Sequence, residues 1–237
     1  MEAPFDFHFV FVSLQRIVQA LPVTGILTLI PLMVGLLLGI PFAVIRRFRV
    51  RFLASFLRNF SHIARGIPAI LMVLMTNYLV LKPIDYLAQY YEWARPLQSL
   101  NKIYVGLIAL SIYAVVQITE TIISALLAVD GGQFEAAYSI GLTKRQTLCR
   151  IVIPQAIPVA LPMLCNNVIG LLKSTSIVYL IYVNDILSAA MNSAAVNFRY
   201  LEAYIAVAMI YWGMCSFVER AFIILEGKVR RKVGRAV

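Results

Sequence analysis

Two sets of polar side chains stand inside runs that are otherwise strongly apolar. Tyr113, Gln117, Glu120 and Ser124 recur at i, i+4, i+7 and i+11 of the run 103–128, which is one face of a helix. Asn166, Gly170 and Lys173 share a face of the run 156–181, with Asn167 and Ser174 beside them and Thr175 and Ser176 just beyond. Ionisable groups within a membrane span are costly, and their default reading is a pathway for a polar solute or ion. The plainer reading is hydrogen bonding between helices, at about 0.6 kcal/mol per contact. On the pathway reading, Tyr113, Gln117, Glu120, Asn166, Asn167, Lys173, Thr175 and Ser176 line a passage for a small zwitterionic solute. At about 1.5 Å of rise per residue, Glu120 lies about 25 Å below the outer end of its span and Lys173 about 12 Å below its own. The two therefore serve different depths: Glu120 the inner end, Lys173 the outer half, where a carboxylate would arrive.

Catalysis is not what these residue types offer. His8 and His62 are far apart in sequence, and Cys149, Cys165 and Cys215 have no metal-ligand spacing. The one Gly-Lys, Gly227-Lys228, lies in a basic tail and does not end a glycine-rich phosphate loop. The chain is expected to be no enzyme and to hold no metal or cofactor of its own.

The elements that carry these residues are set by composition. Of 237 residues, 61% are hydrophobic and 14% charged, and the mean hydropathy is +0.84. Soluble chains carry about 25% charged residues, so the fold class is all-α, a polytopic membrane protein forming one domain over 1–237. Five runs reach the ~20 residues needed to span a bilayer: about Leu21–Ile45, Ile63–Leu81, Ile103–Ala128, Ala156–Ile181 and Ala203–Leu225. Residues 1–16, without a basic leader or small-residue cleavage site, read as an interfacial lead-in rather than a cleaved signal.

The net charge of +10 could suggest nucleic acid, but the cations flank the spans. With the N-terminus outside, 15 of the 21 Lys and Arg fall inside and five outside (Arg16, Lys82, Arg95, Lys102, Arg199), with Lys173 in a span. That bias places the C-terminus in the cytoplasm. Residues 82–102, with Tyr86, Tyr90, Tyr91 and Trp93, read as an aromatic outer connection.

Between the third and fourth spans a polar stretch, about 129–155, is longer than a connection requires. Gln133–Ile140 is rich in helix formers, Gly141 interrupts it, and Thr143 with Gln146 forms a capping-box pattern for a second helix running to about Ile153, where Pro154 stops or kinks it. It is either a helical hairpin tidying the membrane surface or a docking element.

Glu135-Ala136-Ala137, Gly141 after three residues, then Ile151 and Ile153-Pro154 resemble the cytoplasmic loop of ABC importer permeases. Arg65-Gly66-Ile67-Pro68, Gln133, Pro154-Gln155-Ala156, Leu161-Pro162 and Lys173-Ser174-Thr175-Ser176 match the polar amino-acid uptake subfamily (histidine/glutamine permease type) in order and separation, over roughly 21–225. Ile153 departs from the usual Leu, Ile123 from a frequent Arg, and Asp130-Gly131 from a frequent Pro-Lys.

The resemblance implies a permease working by alternating access in a bacterial plasma (inner) membrane. It implies as partners an ABC ATPase dimer that binds ATP and Mg, a second permease subunit, an external substrate-binding protein and an amino-acid substrate. Glu135, Ala136, Ala137, Gly141, Ile151 and Pro154 would form the ATPase-coupling helix. The segment 182–203, with Asp185, Arg199 and Glu202, resembles the connection where the binding protein docks; a solvated loop is the plain alternative. An opine or peptide derivative is an alternative substrate, and a proton-coupled carrier using Glu120 the rival class.

Overall fold

The computed structural model describes residues 5–48, 51–91 and 101–233. Trp93, Arg95, Arg49, Arg235 and the first four residues of the lead-in lie outside the described residues. The described chain contains five helical stretches long and apolar enough to cross a membrane.

Helix α1, Phe7–Arg47, begins where the Asp6 carboxylate accepts from the His8 and Phe9 amides. The lead-in is therefore not a separate segment. From Phe7 it is part of one 41-residue helix, which passes through Pro22, Pro31 and Pro41 without ending.

The expected second span is corrected. Residues 51–66 form a separate amphipathic helix, α2 (Arg51–Gly66), and the membrane-length helix is α3 (Ala69–Tyr90). The reason is Pro68, which disfavours helical geometry at Ile67 and lacks the amide a continuous helix would use. The span shifts toward the C-terminus, so Lys82, Asp85 and Tyr86 are helical rather than part of a connection.

Helix α4 (Ile103–Leu127) is the central element, with twelve buried residues. It packs on α1 through Gly35, Gly39 and Ala43, three buried small residues at four-residue intervals. A Cβ added at Gly35 would lie 2.7 Å from Ile118 Cδ1, and one at Gly39 would lie 3.1 Å from the Val115 carbonyl. Such close backbone approach is how helices associate without a hydrophobic driving force between them. Thr119 Oγ1 reinforces it, donating to the Val115 carbonyl (2.7 Å) and within 3.3 Å of the Gly39 carbonyl.

The polar island folds as α5 (Gly132–Ser139) and a short α6 (Lys144–Thr147). Pro154 does not end the helical course of the chain. A π turn at Leu148–Val152 leads directly into α7 (Ile153–Ser174), with Pro154 at its start. In a regular α-helix the Pro154 ring would meet the Arg150 carbonyl; the wider turn occupies that stretch. A 3₁₀ segment, Thr175–Ile181, completes this fourth crossing.

Much of the segment 182–203 is packed rather than a solvated loop. A helix α8 (Ile186–Ala194) packs its small residues between α1 and α9 (Tyr200–Val233). Arg199 pairs with Glu202 (3.2 Å) and Asp6 (3.5 Å), and Arg16 donates to Ser193 Oγ (3.1 Å). These contacts hold the start of α1 against α8 and α9.

Candidate functional site

The hairpin is rigidly built. Gly141 has φ +82°, a left-handed conformation that favours glycine, and it closes α5. The Leu142 amide donates to the Ala137 carbonyl (3.0 Å) and the Gly141 amide to the Tyr138 carbonyl (2.9 Å), the pair of hydrogen bonds that ends many helices. Thr143 and Gln146 complete the capping box at α6. Gln155 Nε2 donates to Gln133 Oε1 (3.3 Å), and a core of Ala125, Leu126, Val129, Val152, Ala156 and Ala160 anchors the hairpin to α4 and α7. Glu135, Ala136 and Gly141 are exposed on it, Ile151 and Pro154 half-buried, and Ala137 fully buried. Ala137 thus faces inward as packing.

Glu120 joins three elements. Arg46 at the end of α1 donates to one carboxylate oxygen and to Ser61 Oγ of α2 (3.0 Å), while Arg65 lies 3.4 Å from the other oxygen. Lys173 is exposed and makes no ion pair among the described residues, so Glu120 and Lys173 are not brought together.

Above Glu120 a cavity of about 180 Å³ is lined by Arg65, Ile67, Met72, Tyr113, Val116 and Gln117. Gln117 Nε2 donates to the Tyr113 hydroxyl (3.2 Å), and that hydroxyl points toward Gly170 of α7, 3.9 Å from where a Cβ would stand. Guanidinium, amide and phenol together offer donors to a carboxylate and acceptors to an ammonium group.

The other pathway candidates separate. Asn167 Nδ2 donates to Thr121 Oγ1 (2.7 Å) and lies 3.4 Å from the Gln117 carbonyl, joining α7 to α4. Thr175 is fully buried, donates to the Leu172 carbonyl (2.7 Å) and sits 3.2 Å from the Tyr211 hydroxyl. Ser176 donates to the Lys173 carbonyl (2.8 Å). Asn166 is exposed on α7, as is Lys173, and Ser124 is exposed on α4.

Arg46 and Arg65 were not expected at the site. Arg65 had a signal: an arginine ahead of Gly66-Ile67-Pro68 sits where a helix must break, so its side chain can turn inward. Arg46 had none beyond its place at a helix end. Asp185, named in the segment 182–203, is buried and N-caps α8 through the Ser188 amide (2.9 Å).

Five membrane-length helices, a polar cavity among them and an exposed helical hairpin at one end define a multi-pass permease subunit. The chain belongs to the family of binding-protein-dependent transport system inner membrane components, which it matches over residues 35–231. It is similar to the probable amino-acid permease protein YxeN of Bacillus subtilis (30% identical, covering 87% of this chain and 88% of that one). The probable amino-acid ABC transporter permease protein PatM of Vibrio harveyi is 29% identical, over 96% of this chain and 97% of its own. Among solved structures, an amino acid ABC transporter with histidines superimposes with a TM-score of 0.80 at 26% identity, covering 95% of this chain and all of that one. The inward-facing MetNI methionine transporter shares the fold (TM-score 0.65, 16% identity, 95% and 99% covered). In this family the permease is generally non-catalytic, and ATP is bound by a partner ATPase.

Proposed function

We propose that the chain, as one permease domain over 1–237, carries an amino acid inward by alternating access, driven by an ATPase that docks on the hairpin at about 129–155. The observation that carries this reading is the hairpin itself: capped at both internal ends, anchored to α4 and α7, yet presenting Glu135, Ala136 and Gly141 outward. A segment that merely closed the membrane surface would need no such rigidity. Movement imposed on it reaches α4, which carries Tyr113 and Gln117 of the cavity, and α7, whose Gly170 faces the Tyr113 hydroxyl.

Tyr113, Gln117 and Arg65 are the proposed substrate contacts and Glu120 the fastening beneath them. Asn167 and Thr175 hold the helices that form the wall, while Asn166 and Lys173 on α7 and Ser176 just beyond it line the remaining path. A second permease, identical or similar, completes the passage, and two ATPases and an external binding protein complete the importer. The amino-acid substrate is supported by the relatives named as amino-acid permeases. Glu120 as a proton carrier is disfavoured by its engagement with two guanidiniums.

The test is the reconstituted importer with Glu135→Lys and, separately, Gly141→Asp. Both variants are expected to reach the membrane and assemble, and to lose substrate-stimulated ATP hydrolysis and uptake. Aspartate is among the side chains that tolerate the left-handed region, so the loss in Gly141→Asp is expected from its added carboxylate at the docking face. Unchanged uptake in both variants overturns the docking role.

A further inference from the structure

A second cavity, of about 500 Å³, lies on the far side of the Glu120 junction and takes no part in the proposed solute pathway. Its walls are Arg46 and Arg47 from the end of α1, Ser55 and Arg58 from α2, and Ile123 and Leu127 from the last turns of α4. Three guanidiniums and no carboxylate line it. Arg46 is committed to Glu120 and Ser61. Arg47 and Arg58 have no acidic partner among the described residues, so the cavity holds two uncompensated positive charges.

The construction of α2 says what kind of anion fits. Phe52, Phe56 and Ile63 stand on one face, exposed by 89%, 66% and 67%. Arg58 projects from the opposite side of the helix, about 200° round from Phe56. A helix with this division lies along a membrane surface, its apolar face in the acyl boundary. Its polar side then closes the cavity at headgroup depth, while Ile123 and Leu127 extend the opposite wall toward the hydrocarbon.

We propose that this cavity binds the phosphodiester headgroup of an anionic glycerophospholipid, held between Arg47 and Arg58. Arginine forks suit a phosphate's paired oxygens, and basic pockets between helices at the cytoplasmic side bind such headgroups. The site also touches the hairpin: the Arg47 guanidinium lies over the Phe134 ring of α5, 5.7 Å from its centroid. A phosphate drawn to Arg47 therefore sets where α5 sits relative to α1 and α2. The lipid would tune the coupling hairpin, a consequence that rests on the proposed docking role; the binding itself does not.

Binding is tested directly, without ATP or substrate. The full-length chain in its complex is placed in phosphatidylcholine nanodiscs containing labelled phosphatidylglycerol, and lipid retention is measured. Arg47→Gln and Arg58→Gln are each expected to lower phosphatidylglycerol affinity about fivefold, the effect of one basic residue at an anionic surface, with Arg58→Lys restoring the charge but not the fork and so only part of the affinity. Lys228→Gln, a basic residue outside the cavity, is expected to leave it unchanged. Equal retention by wild type and the two cavity variants overturns the proposal. So does an equal loss in Lys228→Gln, which would mean diffuse surface charge. Inorganic phosphate displacing the lipid at millimolar concentration also overturns it, making the cavity a site for a soluble anion. If retention behaves as expected but hydrolysis in the wild type ignores phosphatidylglycerol, the consequence for coupling is overturned and the lipid site stands.

Discussion

Asp185 shows how much one side chain can carry outside the pathway. It is fully buried, its Oδ1 accepts the Ser188 amide (2.9 Å), and its Oδ2 has no partner among the described residues. Burial pushes its carboxyl up from 3.8 to about 6, against the lowering effect of the amides at the start of α8. A carboxyl whose folded value is raised favours the fold below its unfolded value, and that advantage is lost as pH rises through the folded value. The loss therefore develops between about pH 4 and pH 6, and amounts to about 3 kcal/mol once complete. Asparagine caps helices as well as aspartate does and carries no charge to bury. Asp185→Asn is therefore expected to match wild type near pH 4 and to unfold at higher temperature above pH 6. Thermal unfolding in detergent across that range checks it; a variant less stable than wild type at pH 7 would contradict the assignment of Oδ2 as a buried, unsatisfied group.

Among the elements, the α1–α4 pair depends on what is missing from its side chains. Gly39 meets the Val115 carbonyl and Ile118, with Ile118 Cβ 3.2 Å from an added Cβ. The obstruction is partly backbone and cannot rotate away. Gly39→Val is expected to push the helices apart and to cost about 1–3 kcal/mol, as overpacking does. Ile118→Ala should recover part of that by clearing the side-chain contact, and the Val115 carbonyl should prevent full recovery. Unfolding midpoints of the single and double variants in one detergent measure this. Equal stability of Gly39→Val and wild type would show that the pair is not closely packed there.

At the scale of the molecule, α1, α2 and α4 meet at one ionic junction. Arg46 is only 12% exposed and Glu120 23%, whereas Arg65 is 52% exposed. The Arg46–Glu120 pair should therefore couple strongly and the Arg65–Glu120 pair weakly, since solvent screens the more open partner. Removing either member of the inner pair leaves a shielded charge behind. Double-mutant cycles with Arg46→Ala, Arg65→Ala and Glu120→Ala are expected to give about 1–2 kcal/mol for the inner pair and under about 1 kcal/mol for the outer. A larger coupling for Arg65 would mean that the junction closes further than its distances indicate. The junction separates the Tyr113–Gln117 cavity from the arginine-lined one, so its strength governs whether either can open without disturbing the other.

Much of the fold is legible from residue order because the governing physics is local. Apolar runs of bilayer length mark helices wherever they pack, and Gly141, Thr143 and Gln146 specify a turn and a cap within a few residues of themselves. The same locality explains where reading along the chain goes wrong. Hydropathy merges α2 with α3 because Phe60 and Ile63 are as apolar as the span they precede, although Pro68 already divides them. Ile123, visible only as a departure from a pattern, becomes the wall of a cavity once α1 and α2 close over it. Residue order does not show that Ala137 is buried within the hairpin, or that Asn167 and Thr175 are bonded to Thr121 and the Leu172 carbonyl. The all-α class, the five helices of membrane length, the turn at Gly141 and the cap at Thr143 follow from residue order alone. Which guanidinium reaches Glu120, which glycines touch a carbonyl and which carboxyl is buried were decided only by tertiary structure, because those partners lie tens of residues apart and their energies depend on distances and solvent access that no stretch of chain contains.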